Sequence, residues 1–192
     1  MSQRVGIFGG TFDPPHRGHL QVARAACDHL GLDRLLWVPA GTAPHKESEH
    51  VTDARHRIAM TECMVAEDER FELETYEVLK DATSLTVETL QYLHEQQPTW
   101  QLVLIMGEDQ WEAFTSWVRP NTIRDLAEIA VYRRSGAAGA IKSRRVPDHW
   151  LPGSLQPEAS TTIRDRISKG TTKEQDVLDA VADYIESQGL YQ

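Results

Sequence analysis

One run of the sequence joins residue types and spacing that could do chemistry: Gly9-Gly-Thr-Phe-Asp-Pro-Pro-His-Arg-Gly-His19. It follows a short apolar stretch, Val5 to Phe8, and opens a segment of helical periodicity. Gly9 and Gly10 let backbone approach a ligand closely. Asp13-Pro14-Pro15 stiffens the turn, because proline fixes φ. His16 and His19 stand three apart where a helix begins, so their rings project on the same side. The helix N-terminus adds N–H donors and partial positive charge. The assembly reads as a cradle for a polyphosphate. An arbitrary His-x-x-His pair is more often a surface pair, or half of a metal site. Here no third ligand has zinc-site spacing, and the reading names no protein-held metal. The run is neither a Walker A loop, which ends in Gly-Lys-Ser/Thr, nor the GxGxxG fingerprint.

Two further segments carry anion or hydroxyl chemistry. Ser160-Thr-Thr-Ile-Arg164 offers hydroxyls and N–H groups at a helix start, with a guanidinium fork one turn on. The bland alternative is a Ser/Thr cap followed by a solvated arginine. Gly107-Glu-Asp109 follows an apolar strand; Asp109 suits ribose hydroxyls or, more plainly, a helix dipole. His45 and Lys46 lie in a polar loop, where solvated residues are the default. His29, His50, His56, His94 and His149 have no motif context.

These groups must be positioned by the elements between them. Strands are expected at Val5–Phe8, Leu35–Val38, Phe71–Thr75, Leu102–Met106 and Glu128–Tyr132. Helices are expected at about Gly18–Leu30, Thr52–Glu67 (N-capped by Thr52, with Ile58 and Cys63 near its apolar stripe), Thr86–Gln96, Thr161–Lys169 and Lys173–Gln188. Shorter helical stretches fall near Gln110–Phe114 and Thr122–Leu126, and Ser135–Pro157 reads as irregular. Gly31, Gly170 and Gly189 are placed to stop helices. Alternating helices and near-continuous apolar strands imply an α/β fold with a mostly parallel sheet covered on both faces. The loops after Gly10, Ala40, Gly107 and Arg133 should then gather at one sheet edge, the ligand edge of such folds.

Composition bounds the function. The chain has 192 residues, 40% of them hydrophobic, and a net charge of −9 from 20 basic and 29 acidic residues. An acidic chain is repelled by phosphate backbones, which disfavours a nucleic-acid or anionic-membrane partner. Any anionic substrate must be met by a local positive site. Cys27 and Cys63 form no CxxC, which fits a reducing compartment. No secretory leader pattern and no apolar run of membrane-spanning length stands out, so a cytoplasmic location is expected. The sequence leaves open whether the chain works alone or as a homo-oligomer.

With these residues in view, the signature Gly-Gly-Thr-Phe-Asp-Pro-x-His-x-Gly-His resembles that of the nucleotidylyltransferase superfamily. Val38-Pro39, Pro44-His45-Lys46, Thr86-x-x-Thr89-Leu90, Phe114-Thr-Ser-Trp117, Arg133-Arg-Ser-Gly136, Ser160 to Arg164 and Gln188-Gly-Leu-Tyr191 extend the resemblance nearly end to end, toward bacterial nicotinate-nucleotide adenylyltransferases. The resemblance implies a single domain over 1–192, helices at about 161–188 included. It implies a Rossmann-like doubly wound sheet with a C-terminal helical segment, and AMP transfer from ATP to nicotinate mononucleotide with Mg²⁺ accompanying the ATP. It implies catalytic roles for His16, His19 and Arg164. The implied ATP contacts come from Gly9, Gly10, Thr11, Phe12 and Gly18 in the first run, Gly107 and Asp109 after the central strand, Arg134 after the fifth, and Ser160 and Thr161. The acceptor nucleotide is assigned Thr11, Phe12, His45, Lys46 and Thr86, with Trp117 stacking on the ring and N–H groups near Thr86 and Val118 taking its carboxylate. The chain departs from the family pattern at Leu85 and Val118, where relatives commonly have Tyr, and at Glu158 and Ala159, where an apolar residue and Ser are usual. Transfer to nicotinamide mononucleotide or phosphopantetheine, or nucleotide binding without turnover, remain the alternatives.

Overall fold

The computed structural model describes residues 2–41, 51–80, 83–134, 146–155, 159–171 and 176–192, with backbone alone at 134 and 153–155. Six strands form one sheet: β1 (Arg4–Gly10), β2 (Arg34–Pro39), β3 (Phe71–Leu73), β4 (Gln101–Gly107), β5 (Ala127–Arg134) and β6 (His149–Leu155). Their order is β3-β2-β1-β4-β5-β6, and every pairing is parallel. This is the doubly wound order, whose direction reverses between β1 and β4.

Side chains alternate between the two faces, as a period of two requires. Phe8, Leu35, Trp37, Val103, Ile105, Ala130 and Leu151 enter one core. Val5, Ile7, Leu36, Val38, Leu102, Leu104, Met106, Ile129 and Val131 enter the other. The first core is covered by α1 (Arg17–Leu30), α2 (Ala54–Val65), α7 (Ser160–Ser168) and α8 (Asp179–Gln188). The second is covered by α4 (Thr86–Gln96), α5 (Glu108–Ala113) and α6 (Pro120–Leu126). A one-turn helix α3 (Tyr76–Leu79) precedes α4, and a 3-10 turn, Phe114–Ser116, follows α5.

The sequence reading holds for most elements and fails at four. Asp53, not Thr52, caps α2: its Oδ1 accepts the Arg55 N–H at 2.9 Å. Thr52 is occupied elsewhere, its N–H donating to Asp13 and its carbonyl accepting from Arg57. The buried positions of α2 are Arg57, Met60, Thr61 and Met64; Cys63 packs against the same core beside them as expected, whereas Ile58 lies off the stripe. The third strand stops at Leu73, short of the expected Thr75, and α3 begins at Tyr76. The stretch read as irregular contains β6, which carries Pro152 at the sheet edge, where a missing ladder donor is tolerated. The last helix begins at Asp179, well after Lys173, because Asp176 and Val177 are held by α1 instead. Arg17 N–H donates to the Asp176 carbonyl and its Nε to the Val177 carbonyl at 3.0 Å. No helix among the described residues is long and apolar enough to cross a membrane.

Candidate active site

β1 ends in Gly10, and the chain then turns sharply under itself. Phe12 takes left-handed backbone (φ 51°) and is 1% exposed. Its ring folds back beneath Gly10, where a Cβ would stand 2.7 Å from Phe12 Cε1. Glycine is therefore required there by close approach. The same ring meets Trp37, Phe8 and His19 at centroid distances of 5.2, 5.7 and 5.1 Å. Apolar packing thus fixes the floor on which the loop rests.

His16 caps α1. Its Nδ1 accepts the His19 N–H, and His19 Nδ1 accepts the His16 N–H, a reciprocal capping box built from two imidazoles. The rings stack at 3.6 Å with 28° between planes. With each Nδ1 accepting, the neutral rings carry their protons on Nε2. Two Nε2–H donors therefore stand together at the N-terminus of a 14-residue helix, where the dipole adds positive polarity. Gly18 is buried within the first turn.

The loop between Gly10 and His16 is held from three sides. From α7, Arg164 Nη1 donates to the Asp13 carbonyl at 2.7 Å and Ser160 Oγ to the Pro14 carbonyl at 3.0 Å. Thr161 stands exposed on the same first turn. From α2, Arg57 donates to the carbonyls of Thr52 (2.9 Å), Thr11 (2.9 Å) and Ala40 (2.7 Å). After α8, Tyr191 Oη donates to Asp13 Oδ1 at 2.6 Å. The other carboxylate oxygen, Oδ2, accepts the Thr52 N–H at 3.2 Å and lies 3.9 Å from Arg164 Nη1. Arg57 and Asp13 are each 3% exposed. Burial pulls the Arg57 pKa down from its usual value, and the Asp13 carboxylate opposes that.

Beside this loop, Phe8 of β1 pairs with Ile105 of β4, so Gly10 and Gly107 leave the sheet as neighbours. Gly107 opens α5; its N–H donates to Gln110 Oε1 at 3.0 Å. Asp109 turns its carboxylate back over Gly107, with the Tyr132 hydroxyl alongside. Arg134 ends β5 on the same edge. Thr86 begins α4, and Trp117 packs on Phe114 at 5.6 Å. Leu85 and Trp117 rest on one core cluster, and Arg119 Nη2 reaches Gln91 Oε1 of α4 at 3.4 Å. Val118 is 48% exposed. His45, Lys46 and Glu158 lie outside the described residues.

Sequence reasoning missed Asp13 as a buried hub, Arg57, Tyr191 and a network at the start of α4. There Glu77, 9% exposed, accepts from Thr89 Oγ1 at 2.7 Å and from the Ser84 hydroxyl, while Ser84 Oγ accepts the Gly41 N–H at 2.9 Å. Burial pushes the Glu77 pKa up, and its hydroxyl partners oppose that. The signal available was a carboxylate set among Tyr76, Val78 and Leu79. A Cβ on Gly41 would stand 2.3 Å from the Glu77 carbonyl oxygen, and backbone cannot step aside cheaply. Gly41→Ala is expected to lower unfolding free energy by about 1–3 kcal/mol, as overpacking does, measured by urea denaturation.

An all-parallel doubly wound sheet with a glycine turn, a helix N-terminus and paired imidazoles at its switch point defines a Rossmann-like nucleotidyltransferase fold. Residues 7–166 match the family model described as Cytidylyltransferase-like. A Salinibacter ruber protein named "Probable nicotinate-nucleotide adenylyltransferase" is 36% identical over 189 residues, 97% of each chain. A Bacillus subtilis protein named "Nicotinate-nucleotide adenylyltransferase" is 31% identical over 194 residues, 99% of each chain. The chain belongs to the cytidylyltransferase-like family and, within it, to the nicotinate-nucleotide adenylyltransferases. A Plasmodium falciparum nicotinic acid mononucleotide adenylyltransferase shares the fold at 17% identity, with TM-scores of 0.83 in its complex with NaAD and 0.80 in its complex with APC, each covering 98% of this chain and 97% of that one.

Proposed function

We propose that the chain transfers AMP from ATP to nicotinate mononucleotide. The acceptor phosphate oxygen attacks the α-phosphorus in line, the bond to the β-phosphate oxygen breaks, pyrophosphate leaves and deamido-NAD forms. The observation that carries this is the His16–His19 capping box, which sets two stacked imidazoles at a helix N-terminus beside the switch point. The names of the relatives and the NaAD bound to a protein of this fold support it.

Each side chain has a physical task. No general base is needed, since the attacking phosphate is already ionised; positioning and charge stabilisation suffice. His16 and His19 donate to the ATP phosphates and to the charge that develops in transfer. Backbone at Gly9, Gly10, Thr11 and Phe12 lines the cradle and separates the two nucleotides. Gly107 and Asp109 take the adenosine, and Arg134 closes that side. Ser160, Thr161 and Arg164 hold the phosphate end, Arg164 and Ser160 doing so through the Asp13–Pro14 backbone as well. Thr86, Trp117 and Val118 take the nicotinate ring, with His45 and Lys46 at the acceptor phosphate. N–H donors suit a carboxylate and leave an amide NH₂ unpaired.

The described residues contain no cluster of three or more His, Cys, Asp or Glu fit to hold a metal. The polar groups of the cradle are donors, which suit a metal-complexed polyphosphate as substrate, so Mg²⁺ enters with ATP. Substrates of this kind place the reaction in the cytoplasm.

Pyrophosphate release with Mg²⁺-ATP and each of nicotinate mononucleotide, nicotinamide mononucleotide and phosphopantetheine tests the reading. The nicotinate compound is expected to be the preferred acceptor by at least tenfold in kcat/KM, the scale of one lost polar contact. A preference for either other acceptor overturns the substrate. Tight ATP binding with no pyrophosphate from any acceptor overturns the enzyme.

A further inference from the structure

We infer that Tyr191 is a positioning residue for nucleotidyl transfer: by donating to the buried Asp13 carboxylate, it holds the loop that carries His16 and His19. The inference rests on the function proposed above and adds a residue far from the signature in sequence. A carboxylate as enclosed as Asp13 needs donors on both oxygens. Thr52 N–H serves Oδ2, and the Tyr191 hydroxyl serves Oδ1 at 2.6 Å, the length of a charge-assisted bond. Burial, then the bond to Asp13, pushes the Tyr191 phenol pKa well above its usual value, so the hydroxyl remains a donor.

Backbone strain marks the same contact. Among the described residues, three non-glycine residues have positive φ: Phe12, Arg119 and Tyr191. Phe12 directly precedes Asp13, and Tyr191 is the other end of its hydrogen bond. Left-handed backbone is costly for such bulky side chains and persists only where surrounding contacts over-determine it. The Tyr191 ring packs on the core beneath α1 and α2, and its tip reaches the loop. Asp13 lies three residues before the cap residue His16. Release of its carboxylate therefore lets the imidazoles drift relative to the reacting phosphorus, and a shift of about 1 Å costs up to 10²-fold in rate.

Tyr191→Phe keeps the ring and removes the bond. Steady-state kinetics with ATP and nicotinate mononucleotide are expected to show kcat lowered about 10- to 100-fold. KM for the acceptor should change by less than kcat does, because Trp117 and the helix that Thr86 begins rest on a different core cluster, while Thr11 and Phe12 alone adjoin the loop. The thermal midpoint should fall by no more than about 2–6 °C. In an Asp13→Ala background the effect of Tyr191→Phe should shrink below about twofold, since the two residues then have no bond to lose. A Tyr191→Phe enzyme with kcat within about twofold of wild type overturns the inference, as does a lower midpoint with unchanged kcat per folded molecule. An undiminished effect in the Asp13→Ala background overturns it too. If Asp13→Ala does not fold, the split between kcat and KM in Tyr191→Phe decides alone. A wild-type protein without turnover overturns the proposed function and this inference with it; a fully active wild type with an equally active variant overturns the inference only.

Discussion

His19→Ala is expected to lower kcat about 10²–10³-fold with ATP and nicotinate mononucleotide, the scale seen when a positioned donor to developing charge is removed. The structure refines what accompanies that loss. His19 also supplies half of the α1 capping box and meets the Phe12 ring edge-on. Removing it frees the His16 N–H and opens space over Phe12, so stability should fall by about 1 kcal/mol, the worth of a cap. Asp53→Ala serves as the control. It strips the cap of α2 at similar cost, and the Asp53 side chain's hydrogen bond among the described residues goes to Arg55 at the start of that helix, with no contact to either imidazole. Asp53→Ala should lose stability with full turnover, and His19→Ala should lose turnover out of proportion to stability. Equal turnover losses in both would mean that His19 acts through folding and not at phosphorus.

The fold was legible because its strands are short and apolar on both faces. Val5–Phe8, Leu35–Val38 and Leu102–Met106 each fill two cores, so period and composition agree. Gly31 closes α1 with φ of 59°, and Gly189 closes α8 with φ of 61°, as their placement after periodic runs suggested. β6 was not legible, because an edge strand with one inner face and a proline lacks that pattern. In the site, the residues proposed to face the nucleotides stood out by type and spacing. The residues that hold them did not. Asp13 read as part of a stiffened turn, Arg57 carried no motif, and Tyr191 belonged to a C-terminal motif with no role assigned to it. Their meaning comes from separations of 46 positions for Arg57 to Thr11 and 178 for Tyr191 to Asp13, which no local window spans. The same limit applies to Arg164. Its guanidinium read as a free phosphate fork, whereas Nη1 is engaged by the Asp13 carbonyl.

Arg57→Met is expected to be the most damaging single substitution for stability. The guanidinium is 3% exposed and donates to three carbonyls, one from the loop after β1, one from the end of β2 and one from the start of α2. Those carbonyls belong to segments with no ladder to join, so the arginine replaces the pairing that a sheet would give. A methionine of similar reach fills the volume and donates nothing. Each orphaned buried acceptor costs about 1–3 kcal/mol, and the Asp13 carboxylate loses the attraction of a nearby buried cation, with Arg164 still 3.9 Å away. Water entering the opened space recovers part of this, so the expected loss is about 4 kcal/mol, read from urea denaturation. Turnover should fall even in the fraction that remains folded, because Thr11 and Ala40 bound the cradle on two sides. A loss below about 1 kcal/mol would place Arg57 among the ordinary surface substitutions, and the loop after β1 would have to be held by Asp13 and α7 alone.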